Sequence, residues 1–201
     1  MPNWCDTTIT INNKNEKELK DFESKIKEWT SHDYKENGFG LKWLGNIVGN
    51  SGIGTIDENQ DTDLSCRGWL TDIDNLGSQL LISTETAWVP MLQMWVKLLE
   101  KYMPEAELIY QAEEPGLQMY VTNDPSLESA YMLDIFDPVD KLEEIESNWE
   151  IDGNSLKEIL QDLLETKEDN LDKLISLFKE SQYDDHANIN RWEYAEPCDF
   201  D

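Results

Sequence analysis

Basic side chains are scarce in this chain of 201 residues. Only 16 Lys and Arg accompany 43 Asp and Glu, so the formal net charge at pH 7 is −27. Proteins that bind DNA, RNA or anionic lipid without sequence preference use Lys and Arg to displace counterions. The charge therefore excludes direct binding of that kind to nucleic acid or to a membrane surface.

Long apolar runs are missing as well. No run approaches the roughly 20 apolar residues that cross a bilayer, and residues 1–6 carry neither the basic nor the apolar stretch of a secretory signal. Cysteine is also rare: Cys5, Cys66 and Cys198 are dispersed and form no Cys-x-x-Cys pair. We therefore expect a reduced, cytoplasmic protein without a disulfide or a metal–thiolate site.

Residues typical of catalytic sites are few. A nucleophilic Cys5 would need a neighbouring base, and the chain has only His32 and His186. Residues 49–54 are rich in glycine, but no Lys follows at the spacing of a phosphate-binding loop. We therefore expect no catalytic residues, no metal and no cofactor. Cys5 is predicted to be a small buried side chain in a strand, and Trp4 a wedge between sheet and helix.

One acidic segment resembles the start of a calcium-binding loop. Asp and Asn alternate with other residues over positions 57–63. The EF-hand pattern needs Gly at its sixth position and Glu at its twelfth, whereas this chain has Thr62 and Gly68 there. The segment is therefore predicted to be a solvated acidic loop.

The apolar spacing of residues 1–124 predicts an α+β core domain. Alternation indicates strands, and apolar residues three and four apart indicate helices. The strands are predicted at about 5–11, 41–48, 66–73, 79–84, 107–111 and 117–122, and the helices at about 15–30 and 90–102. Pro115-Gly116 predicts a type II turn between the last two strands. This order predicts an antiparallel sheet with both helices on one face, a two-layer sandwich whose simplest topology is ferredoxin-like.

Residues 125–201 are predicted to form an acidic, mainly helical extension that packs on the core domain. They contain six basic and 22 acidic residues. Tyr131–Phe136 is consistent with an edge strand. Two amphipathic helices are indicated by apolar residues at helical spacing, which are Leu156, Ile159, Leu160, Leu163 and Leu164 in the first and Leu171, Leu174, Ile175 and Phe178 in the second.

Three motifs occur together in residues 1–124. Pro2-Asn3-Trp4-Cys5 precedes alternating apolar residues, Thr84–Pro90 contains Ala-Trp before the second predicted helix, and Glu100–Pro104 ends that helix ahead of an acidic turn at 113–116. Together they resemble the YubB-like ferredoxin-like domain family of phage and conjugative-plasmid proteins. The resemblance implies a ferredoxin-like fold without an iron–sulfur cluster, a bacterial host, and no established enzymatic activity.

The excess negative charge itself suggests a function. It is far beyond the roughly 2–8 units that keep a small domain soluble, and it opposes folding through self-repulsion. We therefore expect a non-enzymatic mobile-element accessory protein that binds a basic host protein, such as a nucleic-acid-binding defence factor. As an anti-defence inhibitor, it would imitate the phosphates of DNA with its carboxylates. The predicted partner-binding residues are Glu143, Glu144, Glu146, Glu150, Asp152, Asp162, Glu165, Glu168, Asp169 and Asp172.

Two other functions remain open from the sequence. Glu85 and Glu113 would give an enzyme a carboxylate pair for acid–base chemistry. A phage structural or assembly module would carry the charge for solubility only. The aromatic residues Trp88, Trp95 and Tyr102 repeat every seven positions, which predicts one helix face buried against the sheet.

Overall fold

Two compact units make up the chain. The computed structural model describes residues 3–36, 38–56 and 63–200. The first unit comprises Met1–Asn123 with Ala195–Asp201, and the second comprises Asp124–Tyr194. The chain is mixed α+β with mostly antiparallel strands, as the sequence predicts. Apart from Asp63, the predicted acidic loop lies outside the described residues.

The first unit is built on an antiparallel sheet. Its helices and strands, in chain order, are β1 (Trp4–Asn12), α1 (Glu16–Trp29), α2 (Leu44–Ser51), β2 (Gly68–Asn75), β3 (Gln79–Ala87), α3 (Leu92–Tyr102), β4 (Glu107–Glu114) and β5 (Met119–Thr122). These strands lie in the spatial order β2-β3-β1-β4-β5. β1 is in the middle, where it pairs with β3 on one side and β4 on the other.

Helices α1 and α3 pack on the same face of this sheet, as predicted. Alternate residues of β1, such as Cys5 and Asp6, are buried and exposed, so one face is covered and the other is open. The buried side chains of α1 and α3 share one hydrophobic core with Cys5. Trp29 of α1 and Tyr102 of α3 are in contact, with ring centroids 5.1 Å apart. The open face is therefore the one available for other contacts.

The strand predicted at 41–48 is wrong. That region begins helix α2 instead, and Leu44, Ile47 and Val48 are fully buried at helical spacing. The β-branched residues in a short apolar run favoured a strand, but tertiary burial of one helical face decides the structure. Gly52 ends the helix with a φ of 66°, the left-handed conformation in which glycine is favoured.

The type II turn predicted at Pro115-Gly116 is also wrong. Pro115–Leu117 forms a single turn of 3-10 helix, and the positive φ falls on Gln118, at 53°. The cause is Glu114, whose buried carboxylate accepts hydrogen bonds from the backbone N–H groups of Gly116 and Leu117. This cap holds the turn in helical geometry.

The second unit has its own sheet and hydrophobic core. Its elements are β6 (Tyr131–Ile135), a 3-10 turn at Asp140–Glu144, β7 (Asn148–Ile151), α4 (Gly153–Leu163), α5 (Leu171–Lys179), β8 (Ala187–Arg191) and β9 (Glu193–Tyr194). Strands β7, β6 and β8 form an antiparallel sheet in that order. Leucines of α4 and α5 pack with Phe178 against this sheet.

The sequence predicts α4, α5 and the strand at β6, but it does not indicate β7 or β8. The edge position predicted for β6 is wrong, because this strand lies between β7 and β8. In β7 only Ile151 is buried, so no alternation is visible. In β8 the buried Ala187 and Ile189 alternate with asparagines, which are depleted in strands. The region predicted as mainly helical thus contains a three-stranded sheet as well as two helices.

Candidate functional site

The ten carboxylates predicted to bind a partner all lie in the second unit. They occupy its turns, strand edges and helix ends. Glu143 and Glu144 are on the 3-10 turn, Glu146 follows it, Glu150 is on β7, Asp152 caps α4, Asp162 is in its last turn, Glu165, Glu168 and Asp169 are in the α4–α5 connection, and Asp172 begins α5. Their surroundings divide nine of them into three groups: one helix cap, three partners of lysines, and five others. The tenth, Glu150, has an interaction elsewhere in the chain and belongs to none of these groups.

Asp152 has a structural task. Its Oδ1 accepts hydrogen bonds from the backbone N–H groups of Asn154 (2.9 Å) and Ser155 (3.1 Å), and its Oδ2 accepts one from the Ser155 hydroxyl. The hydroxyl bond is the main reason why the pKa of Asp152 lies below its ordinary value. Asp152 is therefore the N-cap of α4, a role that fixes the carboxylate against the protein's own backbone.

Three further carboxylates are paired with lysines. The ion pairs are Lys141–Glu165 (3.0 Å), Lys157–Asp169 (2.9 Å) and Lys173–Glu168 (3.7 Å). Hydrogen bonding to Lys157 lowers the pKa of Asp169, and hydrogen bonding to Glu165 raises the pKa of Lys141. The α4–α5 connection is therefore less negative in effect than its sequence indicates.

Five of the predicted carboxylates remain available, and we call them the open acid set. Within the described part of the chain, their carboxylates make no hydrogen bond or ion pair, and all five are exposed; they are Glu143, Glu144, Glu146, Asp162 and Asp172. Lys141 donates a hydrogen bond to the backbone carbonyl of Asp162 (2.9 Å). That bond places the turn bearing Glu143 and Glu144 beside the C-terminal end of α4.

Glu85 and Glu113, the alternative carboxylate site, lie on the open face of the first unit. Strand pairing places Asp6 directly between them, opposite Glu85 on β3 and Glu113 on β4. The backbones of Glu85 and Glu113 are thus two strand spacings apart, roughly 10 Å. Glycosidase-type chemistry places its two carboxyl groups about 5 to 9.5 Å apart. The sequence did not predict Asp6 as the centre of this row, because strand register is not local.

Metal binding by these acids finds no support in the geometry. No group of three or more His, Cys, Asp or Glu side chains converges as a metal site in the ranges that the structure describes. The row on the open face is therefore spread across three strands rather than gathered around one point.

Cys5 is a buried side chain in the central strand, as predicted. Its side chain is fully buried, and burial raises the pKa of its thiol to about 11. A thiol with that pKa is protonated at neutral pH and is a poor nucleophile. Cys66 is buried too, and Cys198 is exposed.

The predictions for Trp4 and Trp88 are wrong. Trp4 lies on the open face rather than between sheet and helix, with its ring centroid 5.4 Å from that of Trp69. Trp88 precedes α3 and is 41% exposed, whereas Trp95 is buried in the core. Alternation along β1 sets Trp4 opposite to Cys5, and the helix starts too late to include Trp88.

Comparisons of the chain with models of known protein families, with curated protein sequences and with solved structures found no match. Among the described residues, no helix has both the length and the apolar character needed to cross a bilayer. The function must therefore be inferred from the chemistry of the surfaces themselves.

Proposed function

We propose that the protein binds a basic protein partner through the open acid set and acts as a nucleic-acid mimic. The observation that carries the proposal is that these five exposed carboxylates make no hydrogen bond or ion pair within the described part of the chain; the Asp162 carboxylate interacts with Lys141 only through its charge. Grouped charge of one sign opposes folding and steers an oppositely charged partner toward the surface. The carboxylates of such a surface form favourable ion pairs when the cationic groove of a partner protein covers them.

The charge of the second unit supports this proposal. Residues 124–194 contain twenty Asp and Glu and six Lys and Arg, and three of those lysines pair with carboxylates of the same unit. Phosphates along one strand of DNA are separated by roughly 3–7 Å.

The proposed setting is a phage or conjugative plasmid in the cytoplasm of a bacterial host. Its basis is the resemblance of residues 1–124 to the YubB-like family, together with a ferredoxin-like assignment of the first unit. The strand order β2-β3-β1-β4, with α1 and α3 as the crossovers, supports that assignment. In that setting, a nucleic-acid-binding defence factor is the expected basic partner.

The test is a five-site variant of the open acid set, with Glu changed to Gln and Asp to Asn. Immobilised protein is exposed to bacterial lysate, bound proteins are eluted with rising salt, and those displaced by duplex DNA are identified. We expect the wild type to retain a DNA-binding protein at low salt and the variant to bind it at least about tenfold more slowly, because steering governs association.

A matched control separates this surface from net charge. Changing the exposed Asp21, Glu28, Glu36, Glu100 and Glu105 of the first unit to their amides removes the same five charges elsewhere. The control is expected to bind at nearly the wild-type rate. Equal binding by the five-site variant would instead favour charge for solubility only, whereas equal loss in both variants would mean that net charge, and not this surface, governs binding.

A further inference from the structure

The open face of the first unit carries aromatic rings as well as carboxylates. Trp69 lies opposite Glu85, and Trp4 lies opposite Ala87, so the two tryptophans occupy one corner of the sheet. Their rings meet edge to face, and both are half-buried. The indole N–H of Trp69 donates to the carbonyl of Phe39 (2.9 Å), which fixes the orientation of its ring.

A third tryptophan extends this corner into solvent. Trp88 has a φ of 66°, a left-handed conformation that is unusual for a bulky residue and costs on the order of 1–3 kcal/mol. Its neighbours maintain it: the N–H of Trp88 donates to the carbonyl of Asn3 (2.9 Å), and the Thr86 hydroxyl donates to the carbonyl of Val89 (2.8 Å). The strained backbone therefore holds a large ring 41% exposed.

The same corner already displays one cation–aromatic contact. The guanidinium carbon of Arg67 lies 4.9 Å from the centroid of the Trp88 ring. Asp6 is exposed and Glu85 is half-exposed beside the tryptophans. We call these six residues the tryptophan face: Trp4, Asp6, Arg67, Trp69, Glu85 and Trp88.

We propose that the tryptophan face docks an arginine-bearing segment of a protein partner. Arginine is the side chain that both stacks on an indole ring and pairs with a carboxylate through two parallel hydrogen bonds. Trp and Arg are also the residues most enriched where binding energy concentrates at protein interfaces. A net charge of −27 repels an acidic segment and attracts a basic one.

This surface lies in the first unit and is independent of the open acid set. The probes are two short synthetic peptides, one alternating arginine with serine and one alternating lysine with serine. Tryptophan fluorescence and calorimetry measure their binding to the full chain. We expect the arginine peptide to bind about fivefold more tightly than the lysine peptide, because lysine presents a strongly hydrated point charge without a stacking plane.

Two variants locate the binding. Asp6→Asn with Glu85→Gln is expected to weaken binding of the arginine peptide about fivefold, through loss of two charge-assisted contacts. Trp88→Gly removes the ring while glycine accepts the left-handed backbone, so the fold is retained and the preference for arginine over lysine falls. Circular dichroism checks folding in each case.

The matched control is Asp21→Asn with Glu28→Gln, which removes the same charge from exposed positions of α1, outside both the tryptophan face and the open acid set. It is expected to leave binding of the arginine peptide unchanged. The proposal is overturned if this control weakens binding as much as the pair on the tryptophan face, because general electrostatics then explains the affinity. It is equally overturned if the lysine and arginine peptides bind alike.

Discussion

The two units differ in the side chains of their cores and in how many carboxylates pair with lysines. In the first unit the core is rich in large rings, among them Phe22, Trp95 and Tyr110, and burial of apolar area dominates its stability. In the second unit the core is mostly leucine, and carboxylates cap α4 and pair with lysines around the α4–α5 connection. The difference teaches that part of the acidity of the second unit is structural, and that only the remainder is available to a partner.

The largest expected effect concerns the two cores. Phe22→Ala and Phe178→Ala each remove a ring that is 1% exposed, and each should cost about 3–5 kcal/mol in the unit that contains it. Amide hydrogen exchange, followed by peptide, measures the loss in each unit. We expect faster exchange mainly in the unit that carries the substitution. Equal acceleration throughout the chain for both variants would mean that the units unfold together.

A smaller effect concerns the helix caps. The side chain of Asn15 accepts a hydrogen bond from the Glu18 N–H in α1, and that of Asn170 accepts one from the Lys173 N–H in α5. Either change to Ala should cost about 1 kcal/mol. Because the second unit has the smaller core, we expect Asn170→Ala to shift its urea midpoint further than Asn15→Ala shifts that of the first unit. Ser at either position should restore most of the loss.

The smallest effect is a dependence on pH. Hydrogen bonding to Lys157 lowers the pKa of Asp169, and hydrogen bonding to the Ser155 hydroxyl lowers the pKa of Asp152, each below the ordinary aspartate value of 3.8. A hydrogen bond from the backbone N–H of Asn170 lowers the pKa of Glu168 below the ordinary glutamate value of 4.5. A carboxyl with a lowered folded pKa stabilises the fold above its ordinary value and loses that contribution as the pH falls. In the first unit, hydrogen bonding to Lys27 lowers the pKa of Glu23 in the same way.

We therefore expect the second unit to lose more stability than the first between pH 6 and pH 3. Protonation also relieves the self-repulsion of the whole chain, so the quantity to measure is the difference between the units, by hydrogen exchange at both pH values. Asp169→Asn should reduce that difference. A first unit that loses as much stability as the second would contradict the assigned role of these carboxylates.

Much of the first unit could be predicted from local patterns. Cys5 alternates with exposed residues along β1, and Leu19 and Phe22 recur at helical spacing along α1. Helix α2 could not be predicted in this way, because its short stretch of leucine, isoleucine and valine between glycines also fits a strand. The sheet face on which Trp4 lies could not be predicted either. Alternation assigns residues to two opposite faces of a strand, but it does not show which of the two faces the helices cover.

The candidate sites depended on contacts between distant residues. The placement of Asp6 between Glu85 and Glu113 follows from strand register across the sheet. The ion pair between Lys141 and Glu165 joins the 3-10 turn at Asp140–Glu144 to the connection that follows α4. Residue type and charge identified the right kind of surface, but neither property says which carboxylates the chain uses for itself.

The central position of β1 has a consequence for synthesis on the ribosome. Trp4 pairs with Ala87, and Asp6 pairs with Glu113, so β1 emerges before both of the strands with which it pairs and must wait for them. The first unit is completed later still, because the Tyr110 hydroxyl donates a hydrogen bond to the carbonyl of Ala195 (2.8 Å) and the Tyr110 ring contacts that of Phe200. Sheets that join distant segments form slowly, and nascent chains with unpaired strands are prone to aggregation. The high negative charge of the emerging chain opposes that aggregation by mutual repulsion between copies.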